Sequence, residues 1–149
     1  MQLVIQRVRS AQVSVDEKVV ARIEKGLVVL VGFGANEAPD SIEEMARRVV
    51  SLRIFDDDAG RMNYSIRDIK GGILLVPQVT LTADIETGNR PSFHTAAPIK
   101  EASELFEQFA QALKAKTSNV STGVFRTHMV VALENDGPVT FVLDSDKSG

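Results

Sequence analysis

Apolar and polar positions alternate along the first third of the chain. Residues 3–8 (LVIQRV), 11–16 (AQVSVD), 18–23 (KVVARI) and 26–33 (GLVVLVGF) are short, rich in β-branched side chains and set a few residues apart, which is the pattern of strands. Asp16-Glu17 and Lys25-Gly26 supply tight turns, so this segment predicts an antiparallel meander. After NEAPD the period becomes helical. Ser41 and Glu44 form a capping box, Ile42, Met45, Val49 and Leu52 recur on one face, and Arg47 and Arg48 are left to solvent.

FDDDAGRMN reads as a polar loop. Its Asp56, Asp57 and Asp58 lack the alternating ligands and distal glutamate of a calcium loop, so a solvated turn is expected there. Gly71-Gly72 precedes a buried strand at residues 73–76, which breaks off oddly in LLVPQVTLTAD. Pro77 has no N–H for a sheet, yet Val79 and Leu81 resume an apolar alternation around the polar Gln78 and Thr80. The long stretch TADIETGNRPSFHTAAP carries Gly88 and two prolines and has the length of a functional loop. A second helix starts near Pro98, burying Ile99, Ala102, Leu105, Phe106, Phe109 and Leu113, with Lys114 and Lys116 at its C-terminal end. TGVFRTHMVVALEND and GPVTFVLDS then predict two strands joined through Asp136-Gly137. The expected class is α+β: one domain of mixed or antiparallel sheet carrying two main helices, residues 1–149, with the last few residues a loose tail.

Length and composition narrow the partners. The 149 residues favour one domain that buries about two-thirds of its unfolded surface. The absence of cysteine removes disulfides, zinc–thiolate sites and a cysteine nucleophile, and fits a reducing cytosol. Only three apolar residues lie between Gln2 and Gln6, too few for a signal-peptide core, and residues 27–31 are too short to cross a bilayer; no membrane partner is expected. A net charge of −3 is not that of a protein gripping duplex along its length: either nucleic acid is not the partner, or the contact is confined to a short terminus.

No residue pattern spells out a familiar catalytic device. There is no G-x-S-x-G, and neither His94 in the long loop nor His128 in the expected strand has a local partner to orient it as a base. No His/Asp/Glu cluster has ligand spacing, so no metal is expected, and VGFGAN lacks the third glycine of a dinucleotide loop. Gly137-Pro138, between two strands, reads by pattern alone as a turn.

Taken together and in order, IQRV, LRIFDDDAGRMN, PQVTLTAD, GNRPSF, TGVF and ENDGPVTFVLDS resemble the D-aminoacyl-tRNA deacylases, once called D-tyrosyl-tRNA deacylases. The resemblance runs from Met1 to about Ser145. It implies a compact β-barrel-like α+β fold, a cytoplasmic homodimer with two active sites at the dimer interface, and no cofactor. The implied reaction is hydrolysis of the ester between a D-amino acid, or glycine, and the 3′-terminal adenosine of a tRNA. The family's Ser-Gln-x-x-Thr-type motif maps onto Pro77, Gln78, Val79 and Thr80, with Gln78, Val79 and Thr80 as the catalytic segment. The Gly-Pro motif maps onto Gly137 and Pro138, which enter the partner's pocket and exclude L-side chains by their main-chain oxygens. Arg7 resembles the residue that steadies this insertion, and Phe125 and Met129 are implied as further substrate contacts. Backbone N–H groups of the Gln-x-Thr segment would stabilise the oxyanion, and the ribose 2′-hydroxyl would help activate water.

Two positions depart from the family pattern. Pro77 stands where most members have serine, and Arg126 where the pattern usually has a small residue. Pro-Gln-x-Thr resembles an animal branch that removes L-alanine from mischarged tRNA, whereas NDGPVT is of the D-specific type. A shifted chirality, or a dimer that binds tRNA ends with little turnover, are the alternatives.

Overall fold

In the computed structural model, which describes residues 1–147, the first two expected strands are one. Strand β1 (Gln2–Val15) runs unbroken for 14 residues. It is followed by β2 (Lys18–Ile23) and β3 (Gly26–Gly32). The Asp16-Glu17 turn forms as expected, with φ of 49° and 66°, the left-handed pair that matches strand twist in a two-residue hairpin. The meander does not form. Ala11 faces Ile23 and Val8 faces Gly26 in a single register, so β2 and β3 succeed one another along β1 instead of folding back. The polar Arg9-Ser10 interruption is a bend: pairing with the last strand shifts between Val8 and Ser10, which leaves Arg9 unpaired in a bulge.

Helix α1 (Pro39–Ser51) starts two residues before the expected capping box. Pro39, whose fixed φ suits the first helical position, sets Ala38 as the N-cap; Ser41 Oγ donates to Ala38 O at 2.6 Å, and Glu44 pairs with Arg47 Nε at 2.9 Å. Hydrogen bonding from Arg47 holds the Glu44 carboxyl below its usual range. Strands β4 (Phe55–Asp56) and β5 (Met62–Tyr64) form a separate ribbon. Between them Asp57 accepts the backbone N–H groups of Arg61 at 3.0 Å and Ala59 at 2.9 Å, which lowers its pKa and closes the acidic loop on itself.

Strand β6 (Gly72–Pro77), helix α2 (Ile99–Lys116), β7 (Val120–Thr122) and β8 (Val130–Asp144) complete the chain. The main sheet has the order β2-β1-β3-β6-β7, with β8 also on β1; β3–β6 and β6–β7 are parallel and the remaining pairs antiparallel. Leu27, Val29 and Val31 of β3 and Ile73 and Leu75 of β6 pack with the two helices. Val28, Leu74 and Val76 join Val8, Ala11 and Val13 on the other face. A sheet covered on both sides explains why β3 and β6 read as continuous apolar runs. Gly71-Gly72 is explained by close approach: a Cβ on Gly71 would stand 2.8 Å from Ile66 Cδ1 and 2.9 Å from Lys25 O, and one on Gly72 3.0 Å from Ile23 Cβ. The α+β class with a curled, barrel-like mixed sheet and two helices is as expected.

Helix α2 buries Ala102, Leu105, Phe106, Phe109 and Leu113, but Ile99, at its first position, is 52% exposed and stands over a cavity instead of in the core. The strand expected from residue 122 onward also begins later. Residues 123–129 form a turn, which takes His128 out of the sheet. The loose tail expected of the last residues falls partly on Ser148 and Gly149, outside the described residues. Among the described residues no helix is long and apolar enough to cross a membrane.

Candidate active site

Pro77 is the last residue of β6 and is buried. Gln78 N–H donates to Val31 O of β3 at 2.7 Å, and neighbouring residues of a strand point their backbone groups to opposite sides. The Pro77 nitrogen therefore faces β7, whose last bond to β6 is Gly123 N–H to Leu75 O at 2.8 Å. The ladder has run out at that level, so the missing N–H costs no bond. The ring packs against Gly123, where a Cβ would lie 3.4 Å from Pro77 Cδ and 2.9 Å from Met129 Sδ.

Beyond Pro77 the chain winds into a 3-10 turn, Val79–Thr82, whose first bond is Leu81 N–H to Gln78 O at 3.2 Å. The N–H groups of Val79 and Thr80 precede that bond and have no acceptor among the described residues. They sit at the wall of a cavity of about 900 Å³ that also takes in Gln78, Phe93, Phe125 and Met129. Gly32 seats the turn. A Cβ there would meet Gln78 O and Leu81 Cβ, both at 2.9 Å. The side chains are less committed than the backbone: Gln78 Nε2 donates to Thr80 Oγ1 at 3.3 Å, and Val79 and Thr80 are exposed. If the main chain carries the chemistry, Thr80→Ala keeps turnover within roughly tenfold of the parent, the scale of one neutral hydrogen bond; single-turnover deacylation measures it, and abolished activity in a folded variant would instead make the hydroxyl a nucleophile.

The remaining expected site residues lie elsewhere in the chain. Asn135 pairs with Val8 and Thr140 with Gln6, so residues 136–139 stand opposite Arg7 alone. This loop-out, and not a hairpin, is what interrupts the two predicted C-terminal strands, which are one strand, β8. Val139 turns into the core, while Gly137 and Pro138, joined by a cis bond, are exposed. The bulge is held by side chains. Asn135 Nδ2 donates to Arg7 O at 2.9 Å and Val139 O at 3.1 Å, replacing lost ladder bonds. Arg7, 7% exposed, donates from Nε to Asp136 O at 2.9 Å and from Nη1 to Ile54 O at 2.8 Å.

Thus Pro77, Gln78, Val79, Thr80, Phe125 and Met129 converge on one cavity, and Gly137, Pro138 and Arg7 converge on a separate projection. His128 lies at the cavity wall, and His94 lines a different one, its Nδ1 bonded to Ser92 Oγ at 2.8 Å. Sequence reasoning missed Gly32 and Asn135, whose roles depend on contacts far along the chain, and it placed Ile99 in the core. Phe93 was within reach, as the last residue of GNRPSF.

Solved structures share this fold. A solved structure described as a probable eukaryotic D-amino acid tRNA deacylase superposes with a TM-score of 0.82 at 18% identity, covering 95% of this chain and 97% of the other. A second, a c-Myc DNA Unwinding Element Binding Protein, gives 0.92 at 34% identity over 97% and 98%. The chain belongs to the D-Tyr-tRNA(Tyr) deacylase family, whose model matches residues 4–144. Proteins named D-aminoacyl-tRNA deacylase from Thermosipho africanus and Thermotoga petrophila are each 48% identical over 147 residues, 99% of both chains.

Proposed function

We propose that this chain hydrolyses the ester joining a D-amino acid, or glycine, to the 3′-terminal adenosine of a tRNA, releasing a reusable tRNA in the cytoplasm. The observation that carries this reading is the pair of unsatisfied N–H groups, Val79 and Thr80, at the wall of a cavity with room for an aminoacylated nucleoside. As water adds to the ester carbonyl, charge develops on its oxygen, and preorganised backbone donors stabilise that charge without reorganising. The substrate's 2′-hydroxyl assists the water, so the protein need supply no base. Chirality is set by the exposed Gly137-Pro138 projection, which enters the cavity of a second copy of the chain. That arrangement fits the separation of the two site halves within one chain. Main-chain oxygens of Gly137 and Pro138, on a bulge that Arg7 and Asn135 hold at Asp136 O and Val139 O, then reject an L-side chain by exclusion. Only the end of the tRNA is held, so a net charge of −3 is no obstacle.

Pro77 favours a second reading, in which the chiral preference is shifted toward L-alanine. Initial rates on D-tyrosyl-, L-alanyl- and glycyl-tRNA separate the two. Fast D-tyrosyl and glycyl release is expected; fast L-alanyl release with no D-preference supports the second reading, and no rate above spontaneous hydrolysis leaves a binding dimer. Pro77→Ser, which adds a hydroxyl at the wall, is expected to raise D-tyrosyl turnover roughly two- to tenfold through one added hydrogen bond. An unchanged rate would show that the hydroxyl has no part in holding this substrate.

A further inference from the structure

Arg126 departs from its backbone as well as from its family. Its φ of +59° lies in the left-handed region, where a side chain is unfavourable and glycine is not. The turn at residues 123–129 therefore carries a strain that glycine would remove, and a strained residue at a cavity rim points to a use for its side chain. That side chain is exposed and, among the described residues, makes no ion pair or hydrogen bond. It lines the active-site cavity and also a second one of about 660 Å³ next to it; Ile99 and Phe125 are the other residues common to both. Lys100, likewise without an ion pair, lines the second cavity, where Glu104 is the acidic group and pairs with neither cation. Arg126 is thus an unpaired cation on the shared wall, with Lys100 beyond it in the second cavity, in a chain that is net negative.

We propose that Arg126, backed by Lys100, binds the phosphodiester immediately 5′ of the terminal adenosine and directs the acceptor strand from the active-site cavity into its neighbour. This rests on the reading that the first cavity takes a charged tRNA end. A nucleotide strand leaving that cavity through the shared wall brings one negative charge per residue past Arg126 and then, in the second cavity, past Lys100. Guanidinium suits a phosphate because its planar fork offers two parallel donors. With an otherwise acidic protein repelling RNA, this contact fixes the strand's direction at a single point.

The test compares two esters of the same terminal nucleoside: D-tyrosyl-tRNA, which carries that phosphate and the strand behind it, and D-tyrosyl-adenosine, which carries neither. In Arg126→Gln the KM for the tRNA ester is expected to rise roughly tenfold more than the KM for the nucleoside ester, the scale of one charged hydrogen bond, and Arg126→Lys is expected to recover most of that difference. Equal changes on both esters overturn the clamp. A wild-type protein that cleaves neither ester overturns the reading of function beneath it. The clamp is then decided by fluorescence anisotropy of a short RNA ending in C-C-A. Between about 50 and 200 mM salt the dependence of log K on log salt is expected to be about 0.7 shallower in Arg126→Gln, the value for one single-strand phosphate, and identical slopes overturn it.

Discussion

Gly32→Ala is expected to lower the single-turnover rate on D-tyrosyl-tRNA by roughly a hundredfold, with a smaller change in KM. The new methyl would stand 2.9 Å from Gln78 O, 2.9 Å from Leu81 Cβ and 3.3 Å from Thr82 Cγ2. Two of these are carbons of the 3-10 turn and one is its first carbonyl, so the turn as a whole must lift. Strand β3 is pinned between β1 and β6 and cannot yield. Overpacking of this kind costs roughly 1–3 kcal/mol of stability, and displacing catalytic groups by about 1 Å costs on the order of a hundredfold in rate. Urea unfolding separates the two effects. A folded Gly32→Ala protein with full activity would mean that the Val79 and Thr80 N–H groups are not the oxyanion donors.

Arg7→Ala is expected to cost roughly 2–4 kcal/mol of stability and to raise the rate on L-tyrosyl-tRNA relative to D-tyrosyl-tRNA. The guanidinium satisfies the buried Ile54 carbonyl and the Asp136 carbonyl from one side chain; a buried acceptor left bare costs roughly 1–3 kcal/mol, and the lost packing adds to that. The Asp56 contact adds little, since that carboxylate is 53% exposed and screened. Freed of Arg7, residues 136–139 keep only the Asn135 bonds and move more freely. Lysine should not rescue, because one ammonium cannot reproduce the fork that reaches Ile54 and Asp136 together. Discrimination unchanged in Arg7→Ala would separate the projection from the chiral filter.

The sequence pattern predicted what periodicity encodes and missed what pairing encodes. Apolar alternation in β1 and β2 and continuous apolar runs in β3 and β6 located those strands, and the spacing of Ala102, Leu105, Phe106, Phe109 and Leu113 located the buried face of α2. Yet Arg9-Ser10 and Asp136-Gly137 both looked like strand ends, because a bulge and a turn have the same local chemistry. Only the partner strand decides between them, and β1 and β8 are more than a hundred residues apart in sequence. Ile99 had the right spacing for the core but sits at the first turn, where no element covers it. The candidate site residues were singled out only through the resemblance carried by PQVT and NDGPVT, which also implied that Gly137-Pro138 serves a second copy's pocket. The residue pattern by itself read Gly137-Pro138 as a turn, since nothing in a one-dimensional pattern says which motifs meet.

Pairing between β1 and β8 resumes on both sides of residues 136–139. The tip at Gly137-Pro138 is therefore clamped at two ends by a sheet, as a tooth is set in a jaw, and not hung from a mobile hairpin. Its reach can change by adding or removing residues between Asn135 and Thr140 while both ladders keep their register. On the proposed reading of the tip as the chiral filter, substrate handedness and size can thus be retuned in length without the fold being redesigned. Moving the tip's two anchor points requires part of the β1–β8 pairing to unzip, whereas loss of Arg7 loosens only the residues between them.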